Sequence, residues 1–402
     1  MFRIDRIAKW ALFAYIVVFM VTTSVMLNRV CLLVMIAICG YSLLINARRG
    51  LKINLQLICL ILYGLMLAIS AVYAITPEDK YTAVLIGYMT MLAVVLFLRD
   101  NIRDKRDVAF FLHAFVFGSI IQLFYMLSVY GLDIITVIQE SEQAIRIGDE
   151  VSNSNMVGLS FAYGAVISVH FMRQAIKNRK MRWIFYLVIA LVASVFTFLS
   201  GSRKATLVIL GGFLCVYLFG GSQSKNILKK IRTVLIALLL LILLYWVLTN
   251  IPLFSVVNER LEALIGGVLG NEALDHSSEE RFSFIAIGWQ AFLSYPFIGQ
   301  GIYSSYRYFG TYSHNNFIEV LMNTGLIGFI LFYTPYVVYG IRMLFVPKKD
   351  SRYGLMLFLF AWLLFGAYGM VTYYDKMSMS LMMIVTAWTD LSRREKNELQ
   401  IN

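Results

Sequence analysis

The chain has 402 residues, of which 60% are hydrophobic and 14% charged, and carries a formal net charge of +12. Soluble domains lie nearer half apolar and a quarter charged, so this composition excludes an ordinary soluble protein. The basic residues sit in short segments between long apolar runs, where they orient a chain in a bilayer, and no nucleic-acid partner is expected.

A helix needs about 20 mostly apolar residues to cross the hydrocarbon layer, and about twelve runs qualify. In chain order they are 10–27, 30–45, 53–75, 81–98, 108–130, 156–172, 183–200, 204–219, 233–250, 316–343, 353–371 and 377–391. The amino terminus has a basic start and an apolar run, but a second apolar run follows at once. It is therefore expected to be the first membrane helix rather than a cleaved signal. With that terminus in the cytoplasm, the inside segments hold the basic clusters near 3–9, 48–52, 99–106, 173–182, 225–232, 342–352 and 393–396. The outside segments hold sparser cations, such as Arg29, Lys80, Arg146, Arg307 and Lys376. That alternation predicts a multi-pass membrane protein with both ends in the cytoplasm.

The expected fold is all-α: a single transmembrane domain over residues 1–402, with a large external loop, 251–315, between the ninth and tenth helices. A shorter external segment covers 131–155. Within the large loop, 281–294 places Phe282, Ile285, Trp289 and Phe292 near one helical face before Tyr295-Pro296 interrupts it. This reads as an amphipathic helix on the outer leaflet or, equally well, as a packing helix of an external cap. There is no internal repeat or low-complexity tract. Cys31, Cys39, Cys59 and Cys215 all fall inside apolar runs without metal-ligand spacing, so neither a disulfide nor a metal site is expected.

Ionisable groups at an apolar boundary are costly and usually functional, which draws attention to the outer side. Arg203 stands in Ser200-Gly201-Ser202-Arg203-Lys204, a turn between two apolar runs. Arg281 opens the amphipathic segment, His314 closes the large loop, and Arg146 lies upstream of Asn153 and Asn155. Arginines facing one pocket suit a diphosphate, because guanidinium forks match phosphate oxygens and keep their charge. A histidine beside them has its pKa lowered by the positive field, stays neutral near pH 7 and can act as a general base. Such a base would deprotonate a sugar hydroxyl while the arginines stabilise the departing diphosphate. Taken singly, His314 is more often a loop histidine and Arg203 is as often an interfacial anchor. No Asp-x-Asp pair is present, and Asp275-His276 with Glu279-Glu280 is better read as a solvated acidic loop than as a metal site. Glu319, one turn below His314, could orient it or pair with an arginine, but a helix–helix hydrogen bond is the expected role, and His113 and His170 are expected to do no chemistry.

His314-Asn315, nine further residues, and then Gly325-Leu326-Ile327-Gly328 form a composite pattern, in which the glycines would permit close packing. Together with Arg281 to Gly301 and Ser202-Arg203, this pattern resembles the signature of the O-antigen ligase and polysaccharide polymerase superfamily. The resemblance covers 200–340 closely and the remainder by topology. It implies a metal-independent, inverting glycosyltransferase of the GT-C class that needs no cofactor. It would sit in the bacterial cytoplasmic (inner) membrane and work outside the cytoplasm on undecaprenyl-diphosphate-linked oligosaccharides as donor and acceptor. By the same resemblance His314 is the base, and Arg203, Arg281 and Asn315 bind substrate. Arg146, in Arg146-Ile-Gly148, follows a looser pattern. Lys204 and Arg307 have no motif support. Membrane lipids, a flippase and a chain-length regulator are the implied partners. His314 to Glu319 resembles capsule and exopolysaccharide polymerases more than ligases, so a polymerase is expected, with a ligase the alternative. A transporter or flippase is the rival of another class, but it should show midplane charges on broken helices related by a repeat.

Overall fold

The computed structural model describes residues 2–21, 24–46, 50–131, 153–220, 235, 250 and 276–401, and among them there is no β-strand. In chain order the helices are α1 (Phe2–Val21), α2 (Val25–Ile45), α3 (Leu55–Ser70), α4 (Glu78–Asn101), α5 (Lys105–Tyr130), α6 (Ser154–Lys177), α7 (Trp183–Leu199) and α8 (Arg203–Phe219). After the region outside the described residues come α9 (His276–Ser294), the short α10 (Ser305–Phe309), α11 (Asn316–Leu344), α12 (Tyr353–Gly366) and α13 (Lys376–Ile401). Among the described residues six helical stretches are long and apolar enough to cross a membrane: Val25–Ile45, Leu55–Tyr73, Glu78–Asn101, Lys105–Tyr130, Ser154–Lys177 and Asn316–Leu344. Trp183–Leu199 and Tyr353–Gly366 are shorter apolar helices. The chain is an all-α polytopic membrane protein. The predicted ninth span, 233–250, lies outside the described residues apart from Leu235 and Asn250.

Local chemistry sets the helix starts. Side-chain oxygens of Ser24, Asn54, Asp104, Asn153, Ser202 and Asn315 accept hydrogen bonds from first-turn amides of the helices they precede, the preferred N-cap residue types. The predicted first span, 10–27, is corrected to Phe2–Val21, with a separate helix from Val25. Its charged start is helical because its charges have partners. Asp5 pairs with Arg103 at 2.9 Å and accepts from Ser42 at 2.9 Å and Asn46 at 2.8 Å, while Lys9 pairs with Asp107. Apolarity alone could not see those contacts.

Burial orders the bundle. The apolar window of α6 is 89% buried, whereas that of α2 is 22% buried, so α6 is central and α2 peripheral. Around α6 pack α5, α7 and α8; α3 packs on α11, α12 on α8, α13 on α4, and α9 on α11. Large apolar side chains such as Leu33, Leu44, Leu65 and Ile330 stay exposed along the helices, as a lipid-facing surface requires.

The stripe expected on 281–294 is partly corrected. Phe292 is buried and Ile285 half-buried, but Phe282 and Trp289 are exposed. The packed face is Ile285, Gly288 and Ala291, against Ile318 and Met322 of α11, while Phe284 stacks on Phe309 and Phe292 is buried beside Trp289. The helix is apolar on both sides, so periodicity could not select which stripe faces inward.

Helix α11 is broken at Gly325, where φ is 60° and ψ −160°. The segment from Tyr295 to Gly301 fills the break. Gln300 and Gly301 donate their amides to the carbonyls of Met322 and Asn323, at 2.8 and 3.1 Å. Leu326 and Ile327 donate to the carbonyls of Pro296 and Phe297, at 2.8 and 3.2 Å. A helix can be interrupted within a membrane protein only where protein groups satisfy the freed backbone in this way. A Cβ at position 325 would lie 2.4 Å from the carbonyl carbon of Phe297, so glycine is required both for its positive φ and for the approach of that backbone.

Candidate functional site

His314 lies between α10 and α11 with φ at +58°, an uncommon left-handed conformation for a residue with a side chain. Buried hydrogen bonds hold it there. The Ser313 amide donates to Glu319 Oε2 at 2.9 Å, and the Ser305 hydroxyl donates to Glu319 Oε1 at 2.8 Å. The Ser313 hydroxyl donates to the Asn315 carbonyl at 2.8 Å. Asn315 Oδ1 accepts from the amides of Phe317 and Ile318 at 2.9 and 3.1 Å, capping α11. The buried carboxylate of Glu319 thus orders the loop that presents the histidine. The imidazole lies 4.3 Å from the Tyr312 ring and 6.3 Å from the Phe284 ring, centroid to centroid.

His314 opens into a cavity of about 600 Å³ that Arg281, Lys204 and Tyr312 also line. Its pKa is lowered to about 4, first by burial and then by the positive fields of Arg281 and Lys204. The imidazole is therefore neutral at physiological pH, and two cations lie close enough to influence it. Lys204 also donates to the Gly369 carbonyl. Neutral polar side chains complete much of the lining: Asn28, Thr90, Gln122, Asn153 and Asn155. Gln122 Oε1 is buried without a hydrogen-bond partner among the described residues. Asp375 lines the cavity as well, and burial pushes its carboxyl above the usual range.

The expected site residues are distributed as follows. His314 and Arg281 come together. Arg203 begins α8 but does not line the cavity; its neighbour Lys204 does. Asn315 spends its side-chain oxygen on the helix cap and acts by fixing the loop. Arg146 lies outside the described residues, while Asn153 and Asn155 downstream of it line the cavity. Arg307, in the last turn of α10, is not among the lining residues. His113 and His170 sit in α5 and α6, away from this cavity; His113 hydrogen-bonds the Tyr186 hydroxyl at 2.9 Å. Among the described residues no group of three His, Cys, Asp or Glu could hold a metal ion.

Two residues with structural consequences for the site carry no chemical signature. Lys204 is a lone cation beside an arginine that draws attention first. Asn316 is fully buried, and it ties α11 to the segment that follows α12. Its Oδ1 accepts from the amides of Thr372 and Tyr373 at 2.8 and 2.9 Å, its Nδ2 donates to Tyr333 at 2.9 Å, and its own amide donates to the Ala367 carbonyl at 2.8 Å. That fixes the stretch from Gly369 to Asp375, which forms part of the cavity wall. The only signal in the sequence is its place directly after His314-Asn315.

The arrangement offers a neutral base, fixed positive charge and a polar lining in one space, which suits the transfer of a sugar from an anionic leaving group. No curated protein sequence matches the chain. The O-antigen ligase family model matches residues 188–333, from α7 through the break in α11, and so encloses Lys204, Arg281, His314 and Gly325. Through that region the chain is similar to the O-antigen ligase family, which supports a place in the O-antigen polymerase and ligase superfamily.

Proposed function

We propose that the chain polymerises oligosaccharide repeat units carried on undecaprenyl diphosphate, at the outer face of the cytoplasmic membrane. The supporting observation is that His314, Arg281 and Lys204 share one cavity at one end of the bundle. The outward orientation of that end rests on the basic clusters at the opposite end, which the positive-inside rule assigns to the cytoplasm.

In the proposed reaction a hydroxyl of the acceptor sugar passes its proton to the neutral imidazole of His314. The oxygen attacks the anomeric carbon of the donor as the bond from that carbon to the diphosphate oxygen breaks. Inversion and undecaprenyl diphosphate are the outcomes, and the released charge falls to Arg281 and Lys204. An imidazole of pKa about 4 is neutral but weakly basic. The bound diphosphate corrects this, because its negative charge offsets the two cations and raises the histidine towards the operating pH, where general bases work best. The neutral amides and hydroxyls of the lining are suited to the hydroxyl groups of the sugars.

The test is His314→Ala, scored by the length of surface glycan and by the amount of protein in the membrane. Loss of chain extension with normal insertion is expected; normal long-chain glycan refutes the base. Activity is expected to survive EDTA, and a requirement that only a divalent cation restores overturns a mechanism based on fixed cations. A ligase, which moves the finished glycan to lipid A core or protein, is the second reading, favoured by the description of the matching family model. Cells lacking the protein separate the two. Single repeat units at the surface indicate a polymerase, and full-length polymer left on its lipid carrier indicates a ligase.

A further inference from the structure

At the end of the bundle opposite His314, a second cavity of about 340 Å³ opens between α3, α4, α11 and α13, a size at the lower end of small-molecule sites. Four arginines line it: Arg99 of α4, Arg342 of α11, and Arg393 and Arg394 of α13. A single carboxylate, Asp390, faces them, and it is already engaged. It accepts from the Tyr339 hydroxyl at 2.8 Å and pairs with Arg342 at 3.2 Å, while the Arg342 guanidinium also lies over the Tyr339 ring. Arg393 and Arg394 have no ion pair among the described residues. Arg99 is 5% exposed. Its Nη1 donates to the Ile102 carbonyl at 3.3 Å, but its Nε is buried with no hydrogen-bond partner among the described residues.

Helix ends do not balance this charge. The C-terminal ends of α4 and α11 point to this region, each equivalent to roughly half a negative charge. Four arginines and the amino-terminal end of α3 at Asn54 and Leu55 outweigh these two ends and Asp390, even with Asp100, whose field reaches Arg99, so net positive charge stays uncompensated. A buried guanidinium with a free donor and two further arginines beside it is the donor set that recognises a phosphate, through several N–H groups in fixed planes.

We propose that this cavity binds a phosphate-bearing anion, either the headgroup of an anionic phospholipid of the bilayer leaflet at this end or free phosphate. The two sources share one chemistry, and basic pockets between membrane helices are known lipid-headgroup sites. The proposal is independent of the reaction assigned to His314, since none of its residues touches the other cavity.

The experiment uses the purified full-length protein in detergent. Its Tm is followed while phosphatidylglycerol, phosphatidylcholine of the same acyl chains, or inorganic phosphate is titrated in. The wild type is expected to be stabilised by phosphatidylglycerol or by inorganic phosphate, and not by phosphatidylcholine. In Arg393→Gln/Arg394→Gln the half-saturating concentration should rise at least tenfold, and in Lys348→Gln/Lys349→Gln, exposed at the same end, it should not change. Stabilisation by the anionic lipid alone identifies the headgroup as the ligand; a response to phosphate identifies the soluble anion. No Tm shift with either probe overturns the proposal. So does an equal response in the arginine variant, or an equal loss in the lysine variant, which would mark a general surface-charge effect.

Discussion

The electrostatics of His314 give the sharpest kinetic expectation. Its pKa lies at about 4 instead of 6.5, with burial the first cause and Arg281 and Lys204 the next. The base works only when neutral, so activity is lost as pH falls through that value. At pH 5.5 an imidazole of pKa about 4 is roughly 97% neutral, whereas an ordinary one is roughly 9% neutral. The acid limb of kcat/KM reports the free enzyme and that of kcat reports the substrate complex. Wild-type kcat/KM should therefore change little between pH 7.5 and 5.5. The kcat limb should lie at higher pH, because the bound diphosphate offsets the cations. Arg281→Gln removes one cation and leaves burial and Lys204 in place. The ratio of kcat/KM at pH 5.5 to that at pH 7.5 should then fall below the wild-type ratio without reaching the tenfold loss of an unperturbed histidine. Taking the ratio within each protein cancels any pH-independent loss of diphosphate binding. The assay is initial-rate chain extension of a synthetic lipid-linked repeat unit. A wild-type kcat/KM limb near 6.5, or a ratio that Arg281→Gln leaves unmoved, would refute a base held neutral by these groups.

Further substitutions probe the framework. Lys204→Gln should lower kcat/KM about tenfold, equivalent to about 1.4 kcal/mol, if this lysine grips the leaving diphosphate; a larger loss in Arg203→Gln than in Lys204→Gln would return the anion to the residue that the motif names. Glu319→Ala strands the buried amide of Ser313 and the hydroxyl of Ser305, at about 1–3 kcal/mol for each, so both Tm and chain extension should fall, and Glu319→Gln, which keeps one acceptor oxygen, should restore part of each. Gly325→Ala should prevent accumulation of folded protein, measured as the monodisperse fraction after extraction, because its Cβ meets the Phe297 backbone. Gly328→Ala should lower the folded fraction as well, since its added Cβ would lie 2.4 Å from the Thr324 Cβ, which no side-chain rotation can move.

What could be seen in the sequence follows from which interactions are local. Apolar runs and their caps are local, so most described helices fall where hydropathy places them, and Asn54, Asn153 and Ser202 begin helices as their residue types suggest. His314 and Arg281 were legible through a composite motif. The break at Gly325 was not. A Gly-x-x-Gly within an apolar run reads as a packing surface, and nothing nearby in the chain announces that Tyr295 to Gly301 will fill it. The place of Lys204 in the cavity wall was equally hidden, because it depends on how α8 packs on α6 and α12 rather than on the turn before it.

The site depends on distant segments being fixed to one another, and the fixing groups are polar and buried. Glu319 joins α10 to the loop before α11, Asn316 joins α11 to the segment after α12, and the 295–301 segment is bonded into α11 itself. In water such bonds exchange readily with solvent, but within a bilayer the freed groups have few other partners. This rigidity explains how His314 can remain left-handed, a conformation that costs of order 1–3 kcal/mol and survives only where its surroundings over-determine it. Strain held by buried hydrogen bonds aims the imidazole into the cavity beside Arg281 and Lys204. The carboxylate of Glu319 thus governs where His314 sits without touching it, and weakening that carboxylate should disperse the site while every residue of the motif stays in place.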